Sequence, residues 1–167
     1  SSYVIATYTG ALTGSFASVP DGYTVSYPSG QVVLQQGAAS GFDAWAAAKG
    51  VAGFDADPDG DGIPNGIEFV IGGEPAPGAG SLSTGLLPQA TYDAATGDLI
   101  VVFRRTSASA YLNPAVEYST TLTGTWTSAP AGTVIGTSGD GADLVEVRLS
   151  SALASNGRIF ARLKVNE

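Results

Sequence analysis

The sequence predicts a mainly β protein with a small helical insert: an N-terminal β segment, a helix–loop–helix, and a C-terminal antiparallel β-sandwich. Three observations lead there. Short β-branched and aromatic runs bounded by turn residues fill both ends of the chain. The stretch between them changes to a helical period. Charged residues are only 13% of the chain, about half the usual share, and Gly, Ala, Ser and Thr take their place, as suits a hydroxyl-rich β surface.

Residues 1–38 form the N-terminal strand segment. Tyr3-Val4-Ile5-Ala6-Thr7-Tyr8 reads as a strand, and Tyr23–Tyr27 and Gln31–Gln35 flank Pro28-Ser29-Gly30, a three-residue hairpin signal ending in Gly. Residues 39–73 form the insert. Ser40 is placed to cap a helix through Phe42-Asp43-Ala44-Trp45-Ala46-Ala47-Ala48-Lys49, which Gly50 stops. Pro64 suits the first turn of a second helix running to Ile71 before Gly72-Gly73, with Ile67, Val70 and Ile71 as its apolar stripe. Residues 74–88 are rich in Gly, Pro, Ala and Ser and read as a linker.

Residues 89–167 return to β texture. Strands are expected at Asp98–Arg104, Ala115–Ser119, Thr123–Trp126, Leu144–Leu149 and Ile159–Val165. Val145, Val147 and Leu149 alternate onto one face, and the basic residues of the last strand share a face. Short strands at this spacing suit a small antiparallel sandwich.

The charge balance excludes several functions. Seven basic residues stand against fifteen acidic ones, a net charge of −8. Nucleic acid and anionic membrane surfaces require a basic footprint that this composition lacks. No Cys and no His are present, so disulfides, zinc–thiolate sites, thiol nucleophiles and the commonest general base are all absent. No apolar run approaches the ~18 residues of a membrane span. The missing Met and leader pattern point to a processed chain or an excised piece.

No Lys or Arg falls between Lys49 and Arg104, whereas Asp55, Asp57, Asp59, Asp61, Glu68 and Glu74 all do. From Asp57 the chain runs Asp-Pro-Asp-Gly-Asp-Gly-Ile-Pro-Asn-Gly-Ile-Glu. Carboxylates at the first, third and fifth places, Gly62 at the sixth and Glu68 at the twelfth match the EF-hand spacing. The expected ligands are Asp57, Asp59, Asp61, the Ile63 carbonyl, Asn65 and a bidentate Glu68, around one Ca2+ ion. Magnesium keeps more of its water and demands strict octahedral geometry, so this oxygen-rich set favours calcium. Pro64 occupies the eighth place, where paired EF-hands bridge through a backbone N–H that proline lacks. The site is therefore expected to be solitary, and its ion to tie two helices together as a folding element rather than a signal. Asp55 lies just outside the pattern.

Other chemistry is poorly supported, and the sequence predicts no enzyme. Outside the loop the acids are scattered, and Asp140, Asp143 and Glu146 read as a solvated turn and strand. Trp45 and Trp126 are expected as core anchors ahead of sugar platforms. Lys164 is expected as an exposed strand lysine ahead of an isopeptide donor.

The loop Asp57–Asn65 resembles the calcium loops of thrombospondin type 3 repeats and dockerins. The longer stretch from Phe42-Asp43-Ala44-Trp45-Ala46 through Asn65-Gly66-Ile67-Glu68-Phe69 to Gly72-Gly73 is similar to the C-terminal module of large secreted proteins of Verrucomicrobia and Planctomycetes. Val116-Glu117-Tyr118-Ser119, Thr125-Trp126-Thr127 and Phe160-Ala161-Arg162-Leu163 fit the β-rich tail of that module. Tyr8-Thr9-Gly10 to Gly14-Ser15-Phe16, with Gly22-Tyr23-Thr24, resembles the ends of autotransporter-associated β-repeats. The resemblance implies an exported, extracellular or cell-surface bacterial protein without catalysis. The leading expectation is a structural module of a surface, matrix or filament assembly. The N-terminal strand is expected to pair within its own chain ahead of adding to a neighbour's sheet, the arrangement that would make copies of itself its partners. The competing reading is an adhesive module for carbohydrate or a cell surface, using loops around Tyr111, Tyr118 or Trp126.

Overall fold

The computed structural model describes residues 2–16, 23–36, 41–75 and 83–166. The protein is mainly β, with antiparallel sheets and few helices, as the sequence predicts. The chain divides into two compact units, Ser1–Trp45 and Ala46–Glu167, so the division falls within the first helix.

The first unit holds a three-stranded sheet ordered β1-β3-β2, from β1 (Ser2–Thr7), β2 (Tyr23–Ser26) and β3 (Gln31–Gln36). The hairpin forms where Pro28-Ser29-Gly30 predicts it, with Gly30 at φ +77°, the left-handed conformation that favours glycine. Pairing of β1 with β3 joins Val4 to Val33 and Ala6 to Val32, with a register shift between them at Ile5. The N-terminal strand thus pairs within its own chain. Helix α1 spans Gly41–Lys49, with Asp43 in its first turn and Lys49 in its last, both favourable to the helix dipole. Phe42 is buried, and its ring lies 5.7 Å from that of Trp45. Ser40, the expected cap, lies outside the described residues.

The second unit carries two sheets. A four-stranded sheet is ordered β4-β5-β9-β8, from β4 (Gln89–Tyr92), β5 (Leu99–Arg105), β8 (Thr133–Thr137) and β9 (Asp143–Leu149). A three-stranded sheet is ordered β10-β6-β7, from β6 (Ala115–Ser119), β7 (Thr127–Ser128) and β10 (Phe160–Lys164). Val101 and Phe103 of β5, Val145, Val147 and Leu149 of β9, and Val116 of β6 form one buried cluster. Tyr118, Ala161 and Leu163 of the smaller sheet pack against it. Each such aliphatic or aromatic burial contributes about 1.5–3 kcal/mol. The alternation read in β9 is the alternation found: Val145, Val147 and Leu149 are buried, while Arg148 is exposed.

The strand expected at Thr123–Trp126 does not form; Thr123 lies in a turn, and pairing begins only at Thr127. The Ser119 hydroxyl donates to the Thr125 carbonyl, and a Cβ on Gly124 would meet the Thr121 hydroxyl at 2.2 Å. The tight turn therefore overrides the β propensity of Thr and Trp. Among the described residues no helix is long and apolar enough to cross a membrane.

Helix α2 spans Asn65–Ile71, one residue beyond the proline expected to open it. Gly72, at φ +80°, ends it in the left-handed conformation, its N–H reaching the Glu68 carbonyl. Phe69, Val70 and Ile71 are buried. The helix carbonyls are taken up by the end of β5 and the residue after it. Thr106 donates its N–H to the Val70 carbonyl and its hydroxyl to that of Phe69, and Arg104 Nε donates to that of Ile71. Helix α2 is thereby fastened to the sheet, which fixes where Glu68 can point.

Candidate metal centre

The acidic loop is shaped by its own side chains. Asp57 accepts from the N–H groups of Gly60 and Gly62, each at 2.9 Å. Asp59 accepts from the Asp61 N–H, and Asp61 from the Ile63 N–H. Gly60 and Gly62 stand at φ +73° and +87°, conformations in which a side chain is strained. These bonds wind the backbone so that oxygens of Asp57, Asp59 and Asp61 lie within 4.8 Å of one another. Calcium–oxygen distances of about 2.3–2.6 Å allow one ion to span such a spread. Crowding has an electrostatic cost. Asp59 holds its proton above the ordinary carboxylate range, chiefly through desolvation, with Asp57 and Asp61 adding to the effect.

Two further candidate donors stand in the first turn of α2. Asn65 and Glu68 are both fully buried. The Asn65 amide is oriented by donation from Nδ2 to the Gly53 and Ala52 carbonyls, at 2.8 and 3.3 Å. Its Oδ1 has no hydrogen-bond partner. Glu68 accepts a 2.6 Å bond at Oε1 from the Ser83 hydroxyl, whereas Oε2 has no partner. Burial, followed by the charges of Asp59, Asp61 and Asp57, raises the pKa of Glu68; the Ser83 bond opposes the rise. A buried polar atom left without a partner costs about 1–3 kcal/mol, and more when charged.

Glycines permit this closeness. A Cβ on Gly66 would enter the Phe54 ring at 2.3 Å, so that ring lies flush on the start of α2. The turn containing Phe54 receives the first helical donors, with Gly66 N–H bonded to the Phe54 carbonyl and Asn65 N–H to that of Ala56. A Cβ on Gly73 would lie 2.5 Å from the Ser83 hydroxyl and 3.1 Å from Glu68 Cβ. Gly73 therefore lets Ser83 reach the carboxylate.

Six of the chain's seven basic residues are committed to ion pairs elsewhere. Lys49 pairs with Glu74, Arg104 with Asp140, Arg105 with Asp143, and Arg148 with Asp93 and Glu146. Arg162 and Lys164 both pair with Glu117. Asp140, Asp143 and Glu146, read as solvated, are therefore ion-pair partners on the sheet and its turn.

Sequence spacing brings forward Asp57, Asp59 and Asp61, and the structure gathers them. It also buries Asn65 and Glu68 at the start of α2 and Ile63 just before it, while Asp55 is exposed. Ser83 escapes sequence reasoning, because it belongs to the segment read as a linker; it opens a 3-10 turn, Ser83–Leu86, and is fully buried. The three aromatic residues offered for a sugar platform differ in exposure, with Tyr118 and Trp126 half-buried and Tyr111 exposed. Tyr118 packs on the core, and the Trp126 ring carries the Arg162 guanidinium 4.3 Å from its centre. No family model, curated protein or solved structure matches this chain.

Proposed function

We propose that the chain is an extracellular structural module in which one calcium ion locks the fold. Asp57, Asp59, Asp61, the Ile63 carbonyl, Asn65 and Glu68 hold the ion, and the second unit is a small antiparallel sandwich to which the ion secures α2. The observation that carries this reading is the pair of buried oxygens without partners, Asn65 Oδ1 and Glu68 Oε2, beside three gathered carboxylates. A buried carboxylate whose pKa three nearby aspartates raise is one that a cation would relieve, and the ion pairs join the chain's lysines and most of its arginines to other acids. The donor set is all oxygen, which selects a hard ion.

Calcium bound only by the folded state stabilises it by mass action, about 2.7 kcal/mol at one hundred times Kd. The test is calorimetric titration together with thermal unfolding in calcium and in chelator. One ion per chain and a higher Tm in calcium are expected. No heat and coincident melting curves would sink the proposal.

The wider role is an exported surface or matrix protein that associates with its own copies through the N-terminal strand. Its support is the low charge, the strand-rich ends and the exposure of every residue of β1. Light scattering against concentration tests it, and a chain that stays monomeric at every concentration refutes it.

A further inference from the structure

The sheets leave six edge strands among the described residues: β1, β2, β4, β7, β8 and β10. Proteins usually blunt such edges with charge, proline or brevity. Here β10 carries Arg162 and Lys164, β7 has two residues, and β2 and β4 have four each. The remaining two are different. β1 has six residues and β8 has five, all exposed, and neither contains a charge or a proline.

Each also places two consecutive β-branched aliphatic residues in water. Val4 and Ile5 are 55% and 46% exposed, and Val134 and Ile135 are 48% and 54% exposed. Apolar side chains thus meet water along both edges. Both strands shift register at the isoleucine, between Val4 and Ala6 in one and between Val134 and Gly136 in the other. The two edges therefore match in chemistry and local irregularity and differ by one residue in length.

We infer that β1 of one copy pairs with β8 of a second copy, a head-to-tail strand addition that rests on the self-association reading above and names its receiving edge. A net charge of −8 makes copies repel one another. Charge-free edges are where two copies approach at least electrostatic cost. A two-fold contact, β1 to β1 or β8 to β8, covers one edge and leaves the other in water. The head-to-tail contact covers both with one interface, and it repeats from copy to copy into a chain or a closed ring.

The test uses the whole chain with calcium present. Ile5→Lys and Ile135→Lys are made singly, and Ile5→Cys and Ile135→Cys are made singly and together, in a protein that otherwise has no cysteine. Light scattering, negative-stain microscopy and oxidised denaturing gels are the readouts. Wild type is expected to grow into chains or rings with concentration. Each lysine variant is expected to stay monomeric with the wild-type Tm, and their equimolar mixture to stop at two copies. The oxidised double-cysteine chain should give a ladder of covalent multimers, and should decide the matter if a lysine variant fails to fold. Assembly that survives either lysine substitution overturns the inference and leaves self-association standing. Near-complete covalent dimers from a single-cysteine chain overturn it in favour of a two-fold contact. A wild type that remains monomeric overturns this inference and the self-association reading together.

Discussion

Glu117 in β6 and Glu68 in α2 are both closed off from water, and they sit in opposite surroundings. Glu117 lies directly across from Arg162 on β10. Arg162 Nη2 donates to its Oε2 at 2.7 Å, and Lys164 Nζ donates to its Oε1 at 2.9 Å. Lys164 first, then Arg162, holds its carboxyl below the ordinary range. Glu68 has a serine on one oxygen and three aspartates nearby, and its pKa moves upward. The β6–β10 region supplies its own counter-charge, whereas no cation of the chain is paired with Glu68 among the described residues. Burial alone thus does not decide the cost of a carboxylate; the sign of what surrounds it does.

The largest expected effect comes from Glu68→Gln, which removes one of the two unlike acids. In calcium it should abolish the ion-dependent stabilisation, about 2.7 kcal/mol at one hundred times Kd. In chelator the sign reverses, and the variant should equal or exceed wild type by about 1–3 kcal/mol, because an uncompensated charge has gone. Thermal unfolding in the two buffers measures both. The raised pKa makes this gain dependent on pH: ionisation of Glu68 opposes folding as pH rises above 4.5 and through the raised value. The chelated curves should therefore diverge at neutral pH and converge in acid. A Glu68→Gln chain still stabilised by calcium would remove the distinction between the two regions.

Ser83→Ala comes next. Loss of its bond to Glu68 should cost about 1–2 kcal/mol with or without the ion and weaken calcium binding several-fold by calorimetry. A smaller effect is expected from Glu117→Gln, about 1 kcal/mol, since Arg162 and Lys164 are half exposed and water resolvates them. Its pH signature is opposite to that of Glu68. The depressed pKa means that stabilisation is present above 4.5 and lost as pH falls through the lower value. Glu117→Gln should flatten that acid limb of the melting curve. Smallest is Arg148→Ala, whose exposed pairs with Asp93 and Glu146 should leave the chemical-denaturation midpoint nearly unmoved.

The difference between these regions also governs what the sequence reveals. The three aspartates that the structure gathers alternate over residues 57–61, so residue spacing alone exposes them. The alternation of β9 is visible because one face is buried and the other is wet. Ser83 is invisible, since its contact with Glu68 crosses 15 positions and depends on Gly73 offering no side chain. β8 leaves no pattern because all five residues are exposed, so nothing selects apolar on one face and polar on the other. The pairing of Arg162 and Lys164 with one glutamate follows from strand register, which a single strand does not encode.

The bonds from Arg104 and Thr106 to the last carbonyls of α2 have a consequence for amide hydrogen exchange. Opening the C-terminal turn of α2 would strip acceptors from the end of β5, and fraying of β5 there would release the helix. The two therefore belong to one cooperative opening unit rather than two. An ion seated at Glu68 should slow exchange not only in the loop but at the Thr106 amide, on the far side of the helix in sequence and outside the ligand set.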